Sequence, residues 1–183
     1  MHFLIVSRAS AAALEAEDDP ALDEQHWAYM DPHSAAMIAR GPTLGPDRST
    51  WTGSVHIVEL PDAGAAREFL ANEPYQRAGA YDQHRIWAFT NRLGRTMWEF
   101  GSSADERRFF VLSPGAPPEI DDLTGAIRDR LIVYGTLADP DSGAPAGTAL
   151  ALQVPSRDDL DAVLAEVTTG DAEIYDWEFG GRR

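Results

Sequence analysis

The chain has 183 residues and a formal net charge of −15, with 30 acidic residues against 15 basic ones, all arginine, and no cysteine. Such acidity argues against a nucleic-acid backbone as partner, because that requires clustered cations. Missing thiols exclude disulfides and thiolate metal sites. A hydrophobic fraction of 44% supports a real core, and no apolar run approaches the roughly 20 residues of a membrane span.

The opening MHFLIVSRAS has no basic segment before its apolar run, so it reads as a first strand, His2 to Val6, and not as a cleaved signal. The expected location is the cytoplasm. Ala9 to Pro20 is Ala- and Glu-rich, a helical turn or loop. A helix then starts near Pro20 and sets Leu22, His26, Tyr29 and Met30 on one face. Asp31-Pro32 interrupts it, since proline lacks a backbone donor and restricts the residue before it. A second helical piece is expected over His33 to Ala39, closed by Gly41-Pro42.

Gly53 to Leu60 is the clearest strand of the first half. Its alternation places Ser54, His56, Val58 and Leu60 on one face. Pro61-Asp62 starts a helix carrying Ala65, Ala66, Phe69 and Leu70, which Glu73-Pro74 ends. Arg85 to Thr90 is a strand, and Thr96 to Phe100 extends it or forms a short linking strand. GSSADER, Gly101 to Arg107, is the best linker. The same order then returns: strand Phe109 to Leu112, helix Pro118 to Arg130, strands Leu131 to Leu137 and Gly147 to Val154, helix Arg157 to Glu166 and strand Glu173 to Phe179.

Gly41, Pro46, Asp47, Gly53, Pro61 and Leu70 align without a gap on Gly135, Pro140, Asp141, Gly147, Pro155 and Leu164, each pair 94 apart (135 − 41, 155 − 61). Matched Gly and Pro at turns build the same corners twice. The fold class expected is therefore α+β: two ferredoxin-like βαββαβ halves, residues 1–100 and 107–183, packed face to face as a pseudo-dimeric barrel. The protein is expected as a monomeric pseudo-dimer or a homodimer.

FLIV at the start, EQHWAYM with His26, ARGP at Ala39 to Pro42, Asp47, WTGSVHIVEL from Trp51 and EPYQRAGAY from Glu73 together resemble the YciI-like, or YCII-related, family of the dimeric α+β barrel group. The resemblance covers roughly residues 1 to 94. It implies a His-Asp active-site pair, His26 and Asp47, doing acid-base chemistry. Three features depart from the family pattern: EPY stands where DPY is usual, Asp31-Pro32 shortens the helix that carries His26, and the second half keeps Asp141 but has no histidine, which implies one site per chain. On this reading the protein is a cofactor-independent acid-base enzyme of isomerase, lyase or hydrolase type acting on a small cyclic or aromatic metabolite. The alternative is a non-catalytic ligand-binding or accessory module.

A histidine beside a carboxylate has a fixed tautomer and a stabilised imidazolium, which suits proton transfer near neutral pH. Around that pair, Arg40 would neutralise an anionic substrate, Ser54 would offer a hydroxyl, and Trp51 and Tyr75, with Trp27 and Tyr29, would line an aromatic pocket. Ser54 lies in no nucleophile elbow. His33, His56 and His84 show no metal-binding spacing with His26, and phosphate loops are absent, so neither metal nor nucleotide is expected. His56 corresponds to Leu150 and reads as a packed position. The acidic runs Glu15 to Asp19 and Asp158 to Asp161 read as solvated faces.

Overall fold

The computed structural model describes residues 1–13, 19–101, 103, 106–168 and 170–181. Eight strands form one closed barrel in the order β1-β3-β2-β8-β5-β7-β6-β4. In the first half these are β1 (His2–Ala9), β2 (Met37–Leu44), β3 (Trp51–Glu59) and β4 (Tyr81–Asn91), with helices α1 (Pro20–Met30), α2 (Ala63–Asn72) and α3 (Pro74–Arg77). The second half has β5 (Arg107–Ser113), β6 (Leu131–Ala138), β7 (Pro145–Val154) and β8 (Glu173–Trp177), with α4 (Gly125–Arg128) and α5 (Arg157–Val167). Each half is a ferredoxin-like sheet, β4-β1-β3-β2 and β8-β5-β7-β6. The offset of 94 carries β2 onto β6 residue for residue and starts β7 and α5 where β3 and α2 start (131 − 37, 145 − 51, 157 − 63).

The halves cover each other by curling into one barrel whose edges bond. At one seam Thr43 and Leu44 pair with Trp177 and Asp176. At the other, Ala88 to Asn91 pair with Ala138 to Gly135. Beyond the ladders the Gly180 amide donates to the Arg40 carbonyl at 2.9 Å, and the Arg92 amide donates to the Tyr134 carbonyl at 2.8 Å. Arg40 and Tyr134 are themselves 94 apart (134 − 40), so the seams are copies. Alternation along each strand sorts the core. Leu4, Val55, Ile57, Phe89, Phe110 and Trp177 fill the barrel, whereas Phe3, Ile5 and Val58 face the first-half helices and Phe109, Val111 and Leu150 face the second-half ones.

Three elements differ from the sequence expectation. His33 to Ala39 is not a helix: a 3₁₀ turn, Asp31–Ala36, opens with Asp31-Pro32, and β2 begins at Met37 because Met37 and Ile38 are drawn into the core. Pro118 to Arg130 shrinks to a 3₁₀ turn, Ile120–Asp122, and the single turn of α4, since Leu123 and Thr124 between them are extended and Thr124 caps α4 anew by accepting the Ile127 amide. Thr96 to Phe100 is a 3₁₀ turn, Met97–Glu99, that buries Met97 under β2 instead of forming a strand. Of the expected linker, residues 102, 104 and 105 lie outside the described residues, as do 15–18 of the first acidic run. Among the described residues no helix is long and apolar enough to cross a membrane.

Barrel closure demands glycine at both seams. A Cβ on Gly41 would meet the Glu178 carbonyl oxygen at 1.9 Å, and one on Gly135 would meet the Thr90 carbonyl oxygen at 2.2 Å and the Phe89 ring at 2.5 Å. Backbone cannot yield as a flexible side chain can. Gly135→Ala is therefore expected to cost about 3 kcal/mol or more by overpacking, measured by urea unfolding. Gly79→Ala, where φ is +79° and nothing lies within 4 Å, should cost only about 1–2 kcal/mol of left-handed backbone strain.

Candidate functional site

Glu73 is where the site begins. It ends α2 and caps α3: one carboxylate oxygen accepts the Gln76 amide at 2.7 Å, and Pro74 opens the new helix. That fixes the side chain and leaves the other oxygen free to bond the Nδ1 of His26 at 2.6 Å. The His26 side chain is 11% exposed and that of Glu73 2%. α1 delivers the histidine, its start capped by Asp19, whose carboxylate accepts the amides of Ala21 and Leu22.

His26 lines a cavity of about 200 Å³ together with Trp27, Arg40, Trp51, Ser54, His56, Tyr75 and Tyr81. The His26 ring lies 5.0 Å from Trp27 and 4.8 Å from Tyr75, and Trp51 lies 5.1 Å from Tyr75 and 5.5 Å from Tyr81. Tyr75 donates its hydroxyl to Asp23, and the Trp51 indole donates to the Gly53 carbonyl at 2.6 Å. Gly180 and Gly181, which follow β8, close the cavity against the Arg40 guanidinium. A wall of the first half's site thus comes from the second.

The Arg40 guanidinium sits 5.8 Å from the Trp27 ring and 5.9 Å from the Trp98 ring. Arg40 is 2% exposed. Burial pulls its pKa down, and the Asp31 carboxylate opposes that shift. Burial likewise pushes His56 down to about 3, with the nearby His26 and Arg40 adding to the effect, so the His56 imidazole is neutral at physiological pH. Burial drives the Tyr81 phenol well above its usual range, reinforced by Glu73 and opposed by the nearby Ser54 hydroxyl. The cavity therefore sets one buried cation and one carboxylate-paired imidazole among neutral aromatic walls.

Of the eight residues singled out by sequence, Tyr29 donates its hydroxyl to the Phe69 carbonyl at 2.9 Å, and six line this cavity: His26, Trp27, Arg40, Trp51, Ser54 and Tyr75. Asp47 does not. It sits exposed in the β2–β3 turn, accepting the Ser49 and Thr50 amides at 3.2 and 3.0 Å and their hydroxyls at 3.0 and 2.6 Å. Those bonds, Thr50's first, hold its carboxyl well below the usual range. His26 is thus bonded to Glu73 and not to Asp47, whose oxygens are spent on its own turn. Sequence reasoning read His56 as a packed position and passed over Tyr81, Gly180 and Gly181. The signal for His56 was its shared strand face with Ser54.

Among the described residues, the second half places no polar set at the matching positions. Arg40, Ser54, His56 and Glu73 map 94 positions on to Tyr134, Thr148, Leu150 and Val167 (134 − 40, 167 − 73). Tyr134, Leu150 and Val167 pack in one apolar cluster with Ile127 and Leu160. Thr148 donates its hydroxyl to the Gly115 carbonyl at 2.9 Å, and Tyr134 donates its own to the Pro118 carbonyl at 2.8 Å. A larger cavity, about 650 Å³, is lined by Arg8, His84, Arg85 and Glu173 among others, and of these Arg85 and Glu173 are committed to each other at 2.7 and 2.5 Å. Among the described residues no three His, Asp or Glu side chains gather as metal ligands would.

The YCII-related domain matches residues 1–90. The solved 5-chloro-2-hydroxyhydroquinone dehydrochlorinase of Burkholderia phenoliruptrix, in complex with 2,5-dihydroxybenzoquinone, is 30% identical, covering 47% of this chain and 90% of that one at a TM-score of 0.41. An anthrone oxidase-like protein, 11% identical, covers 98% of this chain and 91% of its own at a TM-score of 0.51. A candidate chlorite dismutase, 12% identical, covers 97% and 94% at 0.52. The last two share the fold along the whole chain. No curated protein matches.

His56 makes the site acid-sensitive in a definite direction. Its folded pKa of about 3 lies below the unfolded value near 6.5, so the unfolded chain binds the extra proton between those limits. Stability contributed by neutral His56 is complete above about pH 6.5 and is lost as pH falls toward 3. Urea unfolding at pH 7, 6 and 5 should show wild type losing up to about 1.4 kcal/mol more per pH unit than His56→Leu. Parallel pH profiles would contradict a buried neutral imidazole.

Proposed function

The chain belongs to the YCII-related domain family, and we propose on that premise that it processes a small, anionic, cyclic or aromatic metabolite by proton transfer through His26. The observation that carries this reading is the 2.6 Å bond from His26 Nδ1 to Glu73 at the wall of an aromatic cavity. Glu73 accepts the Nδ1 proton, which leaves Nε2 as the ring's basic nitrogen. Nε2 takes a proton from a hydroxyl or carbon of the bound ring. Glu73 stabilises the imidazolium that results, and Arg40 stabilises the negative charge delocalised onto a ring oxygen. Return of the proton to another atom completes an isomerisation; departure of a leaving group as its anion completes an elimination. Such chemistry requires no cofactor.

Size and lining support the substrate class. A cavity of about 200 Å³ is below the range of roughly 300–1,000 Å³ that takes drug-sized ligands and suits a single substituted ring. Rings of Trp27, Trp51, Tyr75 and Tyr81 offer stacking faces, and Arg40 supplies the charge. A quinonoid ring is bound by the 30% identical dehydrochlorinase.

2,5-Dihydroxybenzoquinone is accordingly a suitable probe, followed by tryptophan quenching. Arg40→Met should weaken its binding by about 10- to 100-fold, the worth of a hydrogen bond to a charged group, while His26→Gln binds within a few-fold of wild type. On a panel of hydroxylated and halogenated ring compounds followed by NMR, His26→Gln should lose about 10²- to 10⁴-fold in turnover. Undiminished turnover in His26→Gln would refute the mechanism. Probe binding with no turnover of any ring by wild type would favour a binding module.

A further inference from the structure

Asp47 and Arg48 remain outside the chemistry, yet they are the best-tethered residues of the β2–β3 turn. Arg48 has φ +59°, alone among the described non-glycine residues in being left-handed, a conformation that needs local support. Asp47 supplies it through its four bonds to Ser49 and Thr50, and the Arg48 amide donates to the Gly45 carbonyl at 2.8 Å. So held, the Arg48 guanidinium reaches the other half: Nη1 donates to Asp176 at 3.1 Å and Nη2 donates to Glu178. Both acids are also gripped from β5, Asp176 by Arg107 at 2.6 Å and Glu178 by Arg108.

What this clamp fixes is the segment just past β8. Two residues beyond Glu178, the Gly180 amide bonds the Arg40 carbonyl at 2.9 Å. Next comes Gly181, with φ +88°, so close to the Arg40 guanidinium that a Cβ there would lie 2.3 Å from Nε. Arg48 itself does not line the cavity; Gly180 and Gly181 do.

The geometry points to Arg48 as a positioning residue: held by Asp47, it clamps Asp176 and Glu178 so that Gly180 and Gly181 seat the Arg40 guanidinium for an anionic ligand. The ligand part of this inference rests on the reading of the cavity given above. The clamp itself does not. It also gives Asp47 a role that needs no contact with His26, through affinity and not through proton transfer.

Amide hydrogen exchange and probe titration on the full chain test it together. In Arg48→Ala, the Gly180 amide should exchange at least tenfold faster while the barrel amide of Phe110 is unchanged, and the Kd for 2,5-dihydroxybenzoquinone should rise about tenfold. Arg48→Lys, which keeps the charge but loses the planar fork, should fall between. Asp47→Ala should shift both readouts in the same direction as Arg48→Ala. Gly181→Ala should weaken the probe with the clamp intact. The Arg48 variants will fold, because partly exposed ion pairs contribute little to global stability. Wild-type exchange at Gly180 together with wild-type Kd in Arg48→Ala would overturn the inference. Failure of wild type to bind the probe would contradict the proposed ligand, and Gly180 exchange alone would then decide the clamp.

Discussion

Two seams hold this molecule in its shape, and at each a backbone carbonyl passes directly over a glycine Cα. Gly41 takes the Glu178 carbonyl and Gly135 takes the Thr90 carbonyl. No other residue type permits that approach, because a Cβ would overlap backbone that has nowhere to go. With the seams closed, two half-sheets become one barrel without an exposed edge. The same closure carries the segment after β8 across β2 and sets it against Arg40. Fold and site therefore depend on one geometric condition.

The repeated backbone gives the chain two equivalent places beneath its helices, and they are filled differently. In the second half Tyr134, Leu150 and Val167 are buried among apolar neighbours, the low-energy solution for such a place. In the first half Arg40, His56 and Glu73 occupy the matching positions, all nearly inaccessible. Burying polar and charged groups costs stability unless each is partnered, and here Glu73 is matched to His26 and the Gln76 amide while aromatic faces flank Arg40. Such groups, where the other half has aliphatic and aromatic packing, are a costly filling for that place and the one the proposed proton transfer would use.

Much of this was legible in the residues. The gapless offset between Gly41 and Gly135 and its companions encodes the doubled backbone, because turn and close-approach positions tolerate few residue types. Period-2 alternation placed Ser54 beside His56, but comparison with Leu150 suggested packing, and only the depth of the cavity distinguishes a packed histidine from a lining one. The partner of His26 was harder to see. Asp47 lies in a turn-rich stretch near it in sequence, yet its oxygens are consumed locally, whereas Glu73 comes from a helix junction that folding brings to α1. Capping is a local rule and contact between helices is not. The helix expected over Pro118 to Arg130 failed for a similar reason: composition favoured it, and the tertiary frame left it a single turn.

The pairing of His26 with Glu73 is the centre of the account, and imidazole nitrogen NMR addresses it without any substrate. With ¹⁵N-labelled protein at neutral pH, the account predicts a proton on His26 Nδ1, held in a hydrogen bond that Glu73→Gln alters and Asp47→Asn leaves unchanged. A His26 ring protonated only on Nε2, or one that responds to Asp47→Asn and ignores Glu73→Gln, would contradict it.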